Sequence, residues 1–296
     1  MNPKFKIYTS FLLIVVGFFT LKTLLPENNC AKIQEEQFWY GKTYTKDKYD
    51  IVICGDSRVY RGVSTKFLLN SFPKNTSAFN LGYSSIGFEE DYLNFAMSLL
   101  KKESKNKYLV LGISMHSLTP NALQNEHLKS FQNKSSFEIY KKTELAALLC
   151  YFSSYKPLDL LLKNRFPNEY AFHSDGWVEY LSNNVDSLEA IESYLSIFND
   201  NEIIESHLDK LSNQLKNISK KGVKIIAFRP PTSIQMLKLE DEKSNYDYND
   251  FIERTNGFIA WIDLDFNTYE TYDGSHLTSA SAKKLSMKIG RVLLSE

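Results

Sequence analysis

Short apolar runs alternate with amphipathic stretches along most of the chain. The apolar runs are YDIVICG, SAFNLG, KYLVLGIS, GVKIIAF and GFIAWIDL. Between the third and fourth runs, Leu208, Leu211, Leu215 and Ile218 recur at steps of three and four, which is the spacing of one helical face. Further helices are predicted for VSTKFLLNSF, FEEDYLNFAMSLLKK and SASAKKLSMKIGRVLL. Strands that are apolar on both faces and separated by helices predict a five-stranded parallel sheet covered on both sides.

The alternation lapses between about residues 121 and 200. This stretch is too long for a plain loop, so it predicts a helical insertion over the loop end of the sheet. Open α/β sheets bind ligands at the carboxyl ends of their strands, and we therefore expect the insertion to determine substrate selectivity.

The N-terminus differs from the rest of the chain. A short basic segment, MNPKFK, precedes IYTSFLLIVVGFFTLKTLL, which is apolar until Lys22. The uninterrupted run is shorter than the roughly 20 residues that span a bilayer, but Lys22 can extend its side chain to the interface. We expect a signal anchor or transmembrane helix at 1–27, a connector at 28–47 and one domain at 48–296, outside the cytoplasm. A cleaved signal peptide and a buried N-terminal helix are the alternatives.

Charge and cysteine content exclude several classes of protein. Lys+Arg and Asp+Glu both number 35, so no net positive field would attract nucleic acid. Three cysteines without a CxxC pair exclude a fully paired disulfide framework and disfavour a cysteine-rich zinc site. The chain has no HExxH, GxGxxG or GxxxxGK[ST] motif, and we expect no cofactor. Asp263, Asp265, Asp273 and His276 could in principle hold a metal, but acidic residues at strand ends more often form turns.

The stretch IVICGDSRVYRG places Ser57 directly after the first strand. A serine hydroxyl becomes a good nucleophile only beside a base that a third group orients. TYDGSHLT, after the fifth strand, brings Asp273 and His276 to the same sheet edge, and their three-residue offset lets the carboxylate reach Nδ1 of the imidazole. Each residue alone fits a helix cap or a turn. Together they predict a Ser-His-Asp site.

These two motifs resemble the first and last blocks of the SGNH/GDSL hydrolases. The resemblance runs from about residue 48 to the end, excluding the insertion. It implies a three-layer α/β/α sandwich of the flavodoxin-like type, with Ser57 as nucleophile, Asp273 as orienter and His276 as base. NLGYS is similar to the block whose glycine donates a backbone N–H to the oxyanion, so Gly82 would have that role.

One block departs from the family pattern. LGIS stands where the family has Gly-x-Asn, so Ser114 replaces the asparagine that donates to the oxyanion. Loss of one such donor typically costs about 100- to 1000-fold in turnover. Ser114, His116 or the insertion could supply the missing contact. Arg58 and Arg61, just past the serine, either pair with acidic side chains or bind an anionic group of the substrate.

The resemblance also implies a substrate class. Anchored proteins of this kind, such as those of teichoic-acid D-alanylation and alginate O-acetylation, often work beside a membrane-bound O-acyltransferase. It therefore implies O-acyl transfer to, or ester hydrolysis on, a cell-envelope polysaccharide. Two alternatives stay open: a non-catalytic glycan-binding or accessory protein, and a secreted esterase for small esters.

Overall fold

The computed structural model describes residues 3–24, 31–104, 106–154, 169–182, 186 and 189–296. Parts of three predicted segments lie outside these residues. They are 1–2 and 25–27 of the expected anchor, 28–30 of the connector, and 155–168, 183–185 and 187–188 of the insertion.

The main sheet consists of five parallel strands: β1 (Ile51–Gly55), β2 (Ala78–Asn80), β3 (Tyr108–Gly112), β6 (Lys224–Phe228) and β7 (Ala260–Ile262). Their spatial order is β2-β1-β3-β6-β7, and every pairing is parallel. This is the 2-1-3-4-5 order of flavodoxin-like sheets when only these strands are counted. The predicted five-stranded parallel sheet is therefore confirmed.

The predicted insertion is not wholly helical. Strands β4 (Tyr170–Phe172) and β5 (Val178–Tyr180) form an antiparallel hairpin, in which Phe172 pairs with Val178. Gly176, in the turn, has a φ of +89°, a backbone conformation that favours glycine. The hairpin lies in the middle of the sequence region that showed no clear alternation.

Helices connect and flank the strands. Before the insertion the helices are α1 (Pro3–Leu24), α2 (Ala31–Thr43), α3 (Ser57–Gly62), α4 (Thr65–Leu68) and α5 (Glu90–Ser98). The region of the insertion contains α6 (Pro120–Leu123), α7 (His127–Phe131), α8 (Ser136–Tyr140), α9 (Ala146–Ser154) and α10 (Glu189–Tyr194). The C-terminal part contains α11 (Glu205–Lys220), α12 (Ile234–Lys243), α13 (Tyr248–Thr255) and α14 (Ser279–Ser295). A π-helical segment, Lys141–Leu145, joins α8 to α9.

The core is built on both faces of the sheet. On one face, Ile51 and Ile53 of β1 belong to the same buried cluster as Leu285 and Ile289 of α14. Val52, which alternates with them, is fully buried on the other face, where α5 contacts β1 and α11 contacts β6. The continuous apolar runs in the sequence follow from this double coverage.

The chain divides into two compact units. One comprises Met1–Gly41 with Asn133–Asn168, and the other comprises Lys42–Gln132 with Glu169–Glu296. The sheet, the hairpin and α14 all belong to the second unit. In the first unit, Gln37 of α2 donates from Nε2 to the carbonyl oxygen of Thr143 at 3.3 Å.

The N-terminal segment forms the helix α1, which spans 22 residues. In the part of the chain that the structure describes, no helix combines the length and the apolar character needed to cross a membrane. The transmembrane helix expected within residues 1–27 is therefore not found.

Candidate active site

Ser57 is the first residue of α3, and only Asp56 separates it from the carboxyl end of β1. Asp56 caps the helix, because its Oδ1 accepts the backbone N–H of Arg58 at 3.0 Å. Gly55 has a φ of +151°, and a Cβ at this position would lie 2.6 Å from the carbonyl oxygen of Gly112. The glycine therefore lets the strand turn at once into the helix, with the serine at the sheet edge.

Asp273 and His276 lie in the loop between β7 and α14. Oδ1 of Asp273 accepts the backbone N–H groups of Ser275 at 2.8 Å and of His276 at 2.7 Å. Gly274, which follows Asp273, takes a φ of +89°, and the backbone N–H of Tyr272 donates to the carbonyl oxygen of His276 at 3.0 Å. The turn thus engages one carboxylate oxygen and leaves the other for the imidazole.

The structure brings Ser57, His276 and Asp273 into one hydrogen-bonded array. Nδ1 of His276 lies 2.6 Å from Oδ2 of Asp273, and Nε2 lies 2.8 Å from Oγ of Ser57. A carboxylate is an acceptor only, so Nδ1 carries the hydrogen and Nε2 is left to accept the hydrogen of the serine hydroxyl. This is the arrangement that nucleophilic catalysis by serine requires.

Electrostatics favour the charge state that this chemistry needs. Burial opposes the charge on Asp273, but hydrogen bonds from His276 and from two backbone N–H groups outweigh it and lower the pKa of the carboxyl group. Burial also lowers the pKa of His276 below its usual 6.5, and the Arg61 guanidinium lowers that pKa further, although Asp273 acts in the opposite direction. His276 is therefore neutral at neutral pH and able to accept a proton.

Gly82, expected to donate to an oxyanion, lies in the loop after β2. Its N–H donates to Oδ1 of Asn80 at 3.0 Å, while the amide nitrogen of Asn80 donates to the carbonyl oxygens of Val59 at 2.9 Å and Val63 at 2.7 Å. Asn80 thus joins this loop to α3, and the sequence reasoning missed it. To bind an oxyanion, the Gly82 N–H would have to exchange its present acceptor.

Ser114 is fully buried after β3. Its hydroxyl donates to Oδ2 of Asp56 at 2.6 Å and accepts the N–H of Ser117 at 3.1 Å. The hydroxyl hydrogen is therefore engaged with the residue that caps α3. His116, the other expected donor, is also buried, and its ring packs edge-on against Tyr194 at 6.3 Å between ring centroids.

Arg58 lies in a buried ion pair, whereas the sequence reasoning expected either surface acidic partners or a substrate anion. Its NH1 is 2.7 Å from Oε1 of Glu240, and both side chains are almost completely buried. Its Nε–H donates to Oγ of Ser275 at 3.0 Å. Arg229 contacts the other oxygen of Glu240 at 3.2 Å. No signal in the sequence linked Glu240 of α12 to the residue after the serine.

Aromatic side chains border the imidazole. The Tyr272 ring stacks on the His276 ring with centroids 5.8 Å apart, and Tyr180 of the hairpin stacks on Tyr272 at 3.8 Å. The position of Tyr272, directly before Asp273, was the only hint of this in the sequence.

Among the described residues, no group of three or more His, Cys, Asp and Glu side chains could hold a metal ion, the set Asp263, Asp265, Asp273 and His276 included. Asp263 is exposed, and Oδ1 of Asp265 accepts the N–H of Asn267 at 3.0 Å as a helix cap.

A cavity of about 760 Å³ lies beyond the carboxyl ends of β6 and β7. Ser57, Asp273 and His276 are not among its lining residues. Arg229 is, and it links the wall of this cavity through Glu240 to Arg58. The other residues lining the cavity include Tyr246, Asp247, Tyr248, Asn249, Trp261, Asp263 and Phe266.

Comparison with known proteins gives structural similarity only at low sequence identity. No protein-family model and no curated protein matches the chain. Among solved structures, the chain is similar to one described as "a putative platelet activating factor from Streptococcus pneumonia". The match has a TM-score of 0.40 and 11% sequence identity, and it covers 97% of this chain and 99% of that one. A similarity of this size does not establish the fold or the function. The fold is assigned from the order of the strands, and the site from the distances between its side chains.

Proposed function

We propose that this protein is a serine-dependent esterase or O-acyltransferase with Ser57 as its nucleophile. One observation carries the proposal: Oγ of Ser57, the imidazole of His276 and the carboxylate of Asp273 form a continuous hydrogen-bonded array at 2.8 and 2.6 Å. The array lies at the carboxyl edge of an open parallel sheet, where such folds bind ligands.

In the first half-reaction, Oγ of Ser57 attacks the carbonyl carbon of an ester while Nε2 of His276 takes the hydroxyl proton. Asp273 holds the ring and stabilises the imidazolium that forms. Collapse of the tetrahedral intermediate breaks the bond to the alcohol oxygen, which takes the proton from His276. An acyl-serine remains.

The oxyanion needs donors that point at its position. The N–H of Ser57 is the first of its helix, and intrahelical bonding leaves it without a partner. Gly82 is proposed as the second donor after exchange of its Asn80 contact. Ser114 is the weaker candidate, because its hydrogen bond to Asp56 stabilises the cap of α3.

In the second half-reaction, His276 activates an incoming hydroxyl that attacks the acyl-serine. Water gives hydrolysis, and a sugar hydroxyl gives transfer. We propose an O-acylated cell-envelope polysaccharide as donor or acceptor, on the basis of the family resemblance in the GDSR and DGSHLT motifs.

The test is covalent labelling of the full-length protein with a fluorophosphonate, followed by peptide mass spectrometry to locate the adduct. We expect a single adduct on Ser57, because only a serine with an adjacent base reacts readily with such a reagent. The Ser57→Ala variant should show none, and Ser64→Ala, which removes a buried serine hydroxyl from the same segment, should label as the wild type does.

A folded protein without any adduct on Ser57 would overturn the proposal and favour a non-catalytic glycan-binding role. Thermal unfolding of the same samples, before labelling, establishes that each is folded.

A further inference from the structure

Arg61 lies one helical turn beyond Ser57, on the same face of α3, because residues four apart are neighbours on a helix. Its Cζ is 5.5 Å from the ring centroid of Tyr60 and 5.1 Å from that of Tyr170 in the hairpin. Its NH1 donates to the hydroxyl of Tyr272, whose ring stacks on His276. The guanidinium therefore lies beside the candidate active site, among aromatic rings.

The charge of Arg61 has no acidic partner among the residues that the structure describes. Its electrostatic neighbours are the hydroxyls of Tyr60, Tyr170 and Tyr272, and its Nε is buried without a protein acceptor. Arg58, three residues earlier, differs because its guanidinium has an acidic partner, the carboxylate of Glu240 at 2.7 Å. Keeping a largely buried cation without a counter-charge is costly. The absence of an acidic partner for Arg61 therefore points to an anion supplied by a ligand.

A guanidinium group is well suited to binding such an anion. The planar fork of donors binds carboxylate and phosphate oxygens in pairs, and stacking on aromatic rings holds the fork in one orientation. The rings of Tyr60 and Tyr170 contact the guanidinium of Arg61 in this way. Tyr170 belongs to the hairpin that borders the site.

We propose that Arg61 forms an anion-binding subsite next to Ser57. The substrate would then carry a carboxylate or phosphate group close to its ester bond. This proposal rests on the proposed function and specifies its substrate class. It moves the expected anion-binding role from Arg58, which Glu240 neutralises, to Arg61. A uronic acid would present the carboxylate, and a polyol phosphate would present the phosphate group.

A purely structural role for the Arg61 side chain does not explain why a charged group is kept at this position. The hairpin is already joined to α3 by the Nε1–H of Trp177, which donates to the backbone carbonyl of Arg61 at 3.0 Å and needs no guanidinium. A neutral side chain could also accompany the tyrosine rings without the cost of burying a charge.

The experiment measures how fast the fluorophosphonate labels Ser57 in the presence of increasing inorganic phosphate, sodium glucuronate or glucose, at constant ionic strength. The variants are Arg61→Gln, Arg61→Lys and, as a matched control, Arg291→Gln, which removes an exposed arginine from α14. Each variant is compared with its own rate without additive, so that changes in reactivity cancel.

We expect phosphate or glucuronate, or both, to slow labelling of the wild type and of Arg291→Gln, and glucose to have no effect. Phosphate selectivity would indicate a polyol phosphate, and glucuronate selectivity a uronic acid. Arg61→Gln should weaken protection about tenfold or more, as expected for the loss of charge-assisted hydrogen bonds. Protection of Arg61→Lys should lie between that of the wild type and that of Arg61→Gln, because lysine keeps the charge but lacks the planar pair of donors.

Equal protection of the wild type and Arg61→Gln, or no protection by either anion, would overturn the subsite while Ser57 still labels. No labelling of folded wild-type protein would instead overturn the proposed function, and the subsite with it.

Discussion

The Nε–H of Arg58 donates to Oγ of Ser275 at 3.0 Å and so joins the residue after the candidate nucleophile to the residue before the candidate base. The same guanidinium pairs with the buried carboxylate of Glu240 on α12. Three separate segments of the chain, α3, the loop before α14 and α12, therefore meet at the Arg58 guanidinium.

Replacing Arg58 by Met should lower the free energy of unfolding by about 3 kcal/mol, because it leaves a buried carboxylate with one cation fewer. Urea denaturation of the purified variant measures the loss. The double variant Arg58→Met/Glu240→Met should recover most of it, since the buried carboxylate is removed together with its partner and Arg229 keeps its contact with Asp241. Equal losses in the single and double variants would show that packing, not charge, dominates.

Ser57→Ala and His276→Ala should reduce turnover of a simple ester such as 4-nitrophenyl acetate to the same residual level, at least about 10⁴-fold below the wild type. The two side chains act as one unit at 2.8 Å, so removing either removes the activated nucleophile. Steady-state kinetics on matched preparations provide the comparison. A nearly active His276→Ala variant would point to a different base.

The pH dependence of Ser57 labelling should follow the protonation of His276. Because burial and Arg61 lower the pKa of the imidazole, the acidic limb of the wild-type profile should have its midpoint below pH 6.5. Arg61→Gln removes a positive charge, so the imidazolium becomes more favourable and the pKa rises. Labelling should then be lost at a higher pH than in the wild type.

Asp273 and Arg58 are unchanged in that variant, and they continue to raise and lower the pKa of His276, respectively. Arg291→Gln again serves as the control, since it removes a positive charge from the exposed surface of α14. A midpoint that stays in place, or moves to lower pH, in Arg61→Gln would contradict the electrostatic argument.

Ser114→Ala should cost stability more than turnover. The hydroxyl donates to buried Asp56 at 2.6 Å, and its loss leaves the carboxylate without one of its donors, at a cost of about 1–3 kcal/mol. Thermal or urea unfolding measures this cost, and the labelling rate of Ser57 measures the effect on the site. A fall of about 100-fold or more in that rate, with little change in stability, would instead support an oxyanion role for Ser114.

The sequence predicted the sheet because its strands are buried on both faces. Continuous apolar runs such as Ile51–Cys54 leave little choice of element, and the motifs after β1 and β7 indicated a shared edge. The short strands β4 and β5 have three residues each, too few for a period of two to stand out. A helix does lie within the predicted VSTKFLLNSF, where α4 spans Thr65–Leu68, but the sequence reasoning missed α3, which begins at Ser57 after the cap Asp56.

Long-range partners could not be predicted at all. Glu240 is one of several acidic residues on an amphipathic helix, and only the packing of α12 shows that it faces Arg58. The same applies to Asn80, whose side chain looks like an ordinary strand-end amide until its contacts with Val59 and Gly82 are seen. Local pattern determines which residues are buried, whereas tertiary packing decides which charges and donors they meet.

The contact between Ser57 and His276 joins residues 219 positions apart. During synthesis at about 5–20 residues per second, the serine would precede its base by roughly 10–40 s. α14, which packs against α3 and α4, is the last element of the sheet domain to be completed. A ribosome-bound chain would therefore carry an unactivated serine until the domain closes, and the onset of Ser57 reactivity would report the final docking step of folding.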